Sequence, residues 1–136
     1  MLPFTERGEL AVDLALLLLR CCFGMMMLRH HGWPKLRSAR AEAGSFPDLL
    51  GLGHRLTFGL VTWFELAGAA MIALGALTRF NALALVAILF VAWWPWHRDF
   101  HPKQTSRELA FAYMTGFAVL LLVGPGNYSI DALFTR

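Results

Sequence analysis

Four long apolar runs, residues 10–28, 56–77, 80–96 and 109–123, constrain this chain more than anything else in it. At 1.5 Å of rise per residue the first makes about 28 Å of helix, close to the thickness of a bilayer's hydrocarbon core. Runs this long and without alternation do not suit barrel strands, and backbone groups left unpaired in lipid cost several kcal/mol each, so each run is expected to be a helix. Hydrophobic residues make up 57% of the 136, with a mean hydropathy of +0.54, which is more apolar surface than one soluble domain can hide. The expectation is all-α: one integral membrane domain over 1–136, folded as an antiparallel four-helix bundle.

The connections shape that bundle. Residues 29–55 carry Trp33-Pro34, Phe46-Pro47 and several glycines, which predicts a long interfacial loop between the first two helices. Thr78 and Arg79 alone join the second and third runs, a hairpin that makes those helices antiparallel neighbours. The third connection, 97–108, is polar and bounded by Pro95 and Pro102, and Gly124-Pro125-Gly126-Asn127 stops the last helix.

A net charge of +3 could suggest a nucleic-acid partner, but only 15% of residues are charged and the basic ones lie between apolar runs, so none is expected. Eight of them, Arg29, Lys35, Arg37, Arg40, Arg55, Arg98, Lys103 and Arg107, fall on one side, against Arg7, Arg79 and Arg136 on the other. Positive-inside topology then puts loops 29–55 and 97–108 in the cytoplasm and both termini outside, in a multi-pass inner membrane of bacterial type. Trp33, Trp93, Trp94 and Trp96 fall at the basic face, where indole rings favour the headgroups. Glu6, Arg7, Glu9 and Asp13 precede the first run without a small-residue cleavage pattern, which reads as a retained anchor. Adjacent Cys21 and Cys22 form neither a redox CxxC nor a metal spacing.

Two ionisable residues lie deep in the runs. Arg20 is nine residues before Arg29 and Glu65 ten after Arg55, so both are expected about 15 Å below the same face, paired with each other. Two readings are open: an ion pair that locks the bundle, or a carboxylate that contacts a polar ligand head or relays a proton. His30, His31, His54, His97 and His101 all fall in the first and third connections. They could hold a metal or haem or donate to a quinone carbonyl, with His30, His31, His97 and His101 the candidate ligands, though no spacing specifies a metal. Small residues such as Gly59, Gly68, Ala69 and Ala73 either admit a neighbouring backbone or open a flat slot beside Glu65, walled by Trp63 and Phe64.

Taken in order, Arg20-x-x-x-Gly24, His31-Gly32-x-x-Lys35, Glu65-Leu66-x-Gly68, Gly75-x-x-Thr78-Arg79 and Gly124-Pro125-Gly126-x-Tyr128-Ser129-x-Asp131 resemble the DoxX family over roughly residues 14–133. The resemblance implies a four-helix inner-membrane protein similar to the small subunit of thiosulfate:quinone oxidoreductase. Arg20, His31, Lys35, Glu65, Arg79, Tyr128 and Asp131 stand at positions matching the family's polar motifs. The expected function is a membrane subunit of a quinone-linked oxidoreductase that needs a redox partner subunit. In it Glu65, Arg20 and His31 carry the chemistry, while Lys35, Trp63, Gly68, Arg79, His97, Tyr128 and Asp131 contact the ligand, and quinone is the expected cofactor. Alternatives are a non-catalytic lipid-binding or assembly protein and a metal or haem carrier. A small-solute channel is disfavoured, because Arg20, Glu65, Thr62 and Thr115 are too few to line a pore. Association into a homo-oligomer is open.

Overall fold

In a computed structural model of the chain, residues 4–48, 50–96 and 104–134 are described. Every regular element among them is helical, and no strand occurs. Helix α1, Phe4–Met27, passes through a π-turn, Leu28–Gly32, straight into α2, Trp33–Glu42. The long loop expected over 29–55 is thus helical as far as Glu42, and among the described residues only 43–48 and 50–53 lie between that helix and the next. The polar triplet Arg29, His30 and His31 resembles the end of a span, and Trp33-Pro34 resembles a helix breaker. Pro34 instead sits in the first turn after the π-turn, where the Trp33 N–H reaches back to the Leu28 carbonyl. The wider backbone there relieves the clash and the missing donor that proline brings to a regular helix.

Helix α3, His54–Trp63, continues through a second π-turn, Phe64–Gly68, into α4, Ala69–Leu74. Helix α5, Thr78–Val91, runs into a third, Ala92–Trp96; α6 is Gln104–Val123, and a short α7, Ile130–Phe134, closes the described chain. Glu6–Glu42 and His54–Leu74 are each long and apolar enough to cross a membrane, and Thr78–Trp94 is a shorter apolar helix.

Helix α1 lies along α4, and α5 along α6. Gly24 meets Ala69 and Ala73, while Gly32 meets Glu65 and Leu66, so the first rod and α3–α4 run in opposite senses. A Cβ on Gly24 would stand 2.7 Å from the Ala69 carbonyl oxygen, and only glycine admits so close an approach. Met27, Ile72, Leu85, Phe117 and Leu120 are fully buried between these helices, and the Phe23 ring sets its edge against Tyr113 and Phe117. Where lipid replaces water as the surrounding solvent, such close packing, rather than escape from water, holds helices together.

The hairpin lies slightly earlier than expected. Helix α4 ends at Gly75 in the left-handed conformation (φ +75°), which glycine adopts without a Cβ penalty, and the turn closes over 75–77 before Thr78 begins α5.

Candidate functional site

The two π-turns in the first rod and in α3–α4 face each other. Each inserts an extra residue, which rotates the side chains that follow by about 100° relative to a regular helix. Glu65 lies inside one and Lys35 three residues beyond the other. There the Lys35 Nζ sits between the carboxylate oxygens of Glu65, 2.7 Å from Oε1 and 2.6 Å from Oε2. The Glu65 side chain is only 6% exposed and that of Lys35 23%, so the charge is held inside the protein. An unpaired carboxylate in that position would be costly, and the ammonium compensates it. The Phe46 ring also faces the ammonium, its centroid 5.6 Å from Nζ.

Beside the pair is a cavity of about 50 Å³, with Lys35, Glu65 and Thr57 as its polar patch and Phe46, Val61, Ile88, Leu89, Val91 and Ala92 among its apolar walls. It has room for a few waters, far less than the several hundred Å³ typical of sites for drug-sized ligands. Phe46 and Leu50 wall it from the connection, and that connection is pinned by polar contacts the sequence reading missed. The Asp48 carboxylate accepts from the Thr57 hydroxyl at 2.7 Å, the Gly53 N–H at 2.8 Å and the Leu52 N–H at 3.0 Å. The Thr57 hydroxyl, then the backbone donors, hold the Asp48 carboxyl below the usual aspartate range. His54 Nδ1 lies 2.6 Å from the Phe46 carbonyl oxygen. Asp48 five residues ahead of a glycine-led helix start is a local capping signal that could have been found.

Arg20 is not the partner of Glu65. Arg20 is 1% exposed, and its guanidinium donates to the main-chain carbonyl of Tyr128 and packs against Gly75, which Ser129 also approaches, at the opposite end of the helices. Since Gly32 is the residue level with Glu65, Arg20 lies twelve residues away, about 18 Å along the rod. The expected pairing measured depth from Arg29 as the end of the first helix, and that helix runs on to Glu42. Around Arg20 the Asp131 carboxylate caps α5 by accepting from the Leu77 and Thr78 N–H groups at 2.7 and 2.9 Å. The Asp131 N–H donates to the Gly75 carbonyl at 2.8 Å, and Asp13 accepts from the Asn127 N–H and side-chain amide.

The remaining expected contacts divide between these two ends. His31 packs its ring at right angles to Tyr113, with centroids 5.5 Å apart, and is not among the residues lining the Lys35–Glu65 cavity, and His30 is exposed. Trp63 is 62% exposed and Gly68 packs on Asn81 and Phe64, so neither builds the slot expected beside Glu65. Arg79 and Asp131 line an open groove at the hairpin end, and Tyr128 contributes its carbonyl rather than its ring to Arg20. Among the described residues no group of three or more His, Cys, Asp and Glu could hold a metal. His97 and His101 lie outside the described residues.

The DoxX family model matches residues 15–98. The chain belongs to the DoxX family. An uncharacterized protein of Haemophilus influenzae is 31% identical over 74 residues, which cover 53% of this chain and 49% of that protein. The chain thus spans about half the length of this curated relative. No solved structure matches. The DoxX match contains Lys35 and Glu65 as well as Arg20, but it stops short of Tyr128 and Asp131, which complete the Arg20 end. Family and apolar helices together make this a membrane protein, of a family linked in general to redox roles at the membrane.

Proposed function

We propose that this DoxX protein is the membrane subunit of a quinone-linked oxidoreductase, and that the polar head of a quinone or similar apolar ligand docks against Lys35 and Glu65. In this reading the helices form an antiparallel four-helix bundle in the inner membrane, with the basic segments cytoplasmic and both termini outside. The carrying observation is the Lys35–Glu65 pair at the polar end of an otherwise apolar cavity. The pair is neutral as a whole, which favours an uncharged head over an anionic substrate such as a sulfur oxyanion. The ammonium donates to Glu65 Oε1, which leaves it donors for a quinone carbonyl, while the buried Oε2 has no hydrogen-bond donor of its own among the described residues and can accept from a quinol hydroxyl. One site therefore suits both redox forms, with electrons supplied by a partner subunit. Because the cavity is small, entry requires Phe46 and Leu50 to move outward.

Titration of a quinone analogue into the purified protein tests this. Glu65→Gln and Lys35→Met are each expected to weaken binding at least tenfold, and binding unchanged in both removes the pair from the site. A second reading, a non-catalytic lipid-binding or assembly protein, is favoured by the cavity's 50 Å³. It predicts that the wild-type protein takes up no quinone at all.

A further inference from the structure

Tryptophans from three helices stand near one level of the fold. Gly32 touches Glu65 and Leu66, which puts Trp33 beside Trp63 along the axis, and Ala92 lines the same cavity as Lys35 and Glu65, which brings Trp93 and Trp94 to within about a turn. Trp33, Trp63 and Trp94 are 47, 62 and 55% exposed. Large indole rings facing outward at one height favour the interfacial region of a bilayer, so this end of the fold faces a headgroup layer, and α2 leads toward it. Arg40 is seven residues beyond Trp33, about 10 Å farther toward that layer.

At that height Arg40 and Arg55 flank an open groove of about 540 Å³ whose floor is Ala39, Ala43, Gly44 and Ser45. Both arginines are exposed, and neither has a carboxylate partner among the described residues. Arg37, one turn before Arg40, rests its guanidinium 5.3 Å from the Trp33 ring centroid and adds to the same positive face. We infer that this groove is a binding site for the phosphate of an anionic phospholipid. Two guanidinium forks match phosphate oxygens in shape as well as charge, and the small floor lets the headgroup approach the backbone. Exposed Leu36 and Leu56 stand beside the arginines, where acyl chains would run down toward the tryptophan level. The site is separate from the Lys35–Glu65 cavity and holds whether or not that cavity takes a quinone.

The test uses the full chain in detergent micelles, offered phosphatidylglycerol or phosphatidylcholine and read by native mass spectrometry. Phosphatidylglycerol is expected to be retained about tenfold better, and Arg40→Gln with Arg55→Gln to lower its retention by about fivefold per arginine. Arg7→Gln, at the opposite end of the rod, is expected to change nothing. Millimolar inorganic phosphate is expected not to displace the lipid. Equal retention of the two lipids by wild type overturns the inference, as does an equal loss in Arg7→Gln or displacement by free phosphate. The wild-type selectivity and the phosphate competition need no variant, so they decide the matter even if the double substitution fails to fold.

Discussion

Lys35 and Glu65 are worth more to each other than either is to the fold. Removing one partner leaves a buried charge without compensation, whereas replacing both by apolar side chains of similar volume removes the cost together with the gain. Lys35→Met is therefore expected to destabilise the protein by about 3 kcal/mol, and Lys35→Met with Glu65→Leu by less than the single change. Unfolding in mixed micelles measures both, and a double variant weaker than Lys35→Met would show that the pair itself stabilises. Asp48 gives a second residue-scale prediction. Its carboxyl is held below its ordinary 3.8 by the Thr57 hydroxyl and the Gly53 and Leu52 N–H groups. A carboxylate depressed in the folded state stabilises fully above its unfolded pKa and loses that contribution as pH falls through the folded value. The stability gap between wild type and Asp48→Asn should thus be constant from pH 7 to 5 and close below about pH 3.8. A gap unchanged at pH 3 would mean that Asp48 acts through shape alone.

At the scale of elements, the four apolar runs were legible because their length forces helices in lipid, and the stop at Gly124 was legible because glycine and proline end helices locally. The continuation of α1 through Arg29–Gly32 was not, because a π-turn has no composition of its own and the polar triplet at 29–31 looks like an interface. That one error moved Arg20 to the wrong depth and hid the Lys35–Glu65 pair, although Lys35 and Glu65 were both picked out singly. Two glycines show how local the packing demands are. A methyl on Gly32 would meet main-chain atoms of Glu65 and Leu66 at 2.5 to 2.7 Å, none of which can swing aside, while one on Gly59 meets nothing within 4 Å. Gly32→Ala is expected to cost about 1–3 kcal/mol and to separate Lys35 from Glu65. Gly59→Ala should be neutral or gain up to about 1 kcal/mol from helix propensity. Thermal unfolding of the two variants side by side checks this, and equal losses would contradict the facing of the π-turns.

For the whole molecule, the consequence is two polar centres held apart by an apolar middle. Lys35 and Glu65 tie the first rod to α3–α4 near the tryptophan level, and Arg20, Asp13 and Asp131 tie the segment after α6 to the rod and the hairpin at the other end. The interval between them is filled mainly by Met27, Ala69, Ile72, Leu85 and Phe117, and the one buried amide described there, Asn81, is bonded back to the Ala76 and Leu77 carbonyls of its own hairpin. Energetic effects at sites more than 7–10 Å apart with no shared partner add to within about 0.5 kcal/mol, while members of one ion pair couple by about 0.5–3 kcal/mol. Arg20→Met and Glu65→Gln lie about 18 Å apart along the rod and have different partners, so their destabilisations are expected to add. Lys35→Met and Glu65→Gln share one contact, and their sum should overshoot the double variant. Measuring both cycles in the same micelles sets the two architectures against each other. Coupling in the Arg20 cycle as large as in the Lys35 cycle would mean that the intramembrane arginine and carboxylate communicate after all, and the separation of the two centres would have to be abandoned.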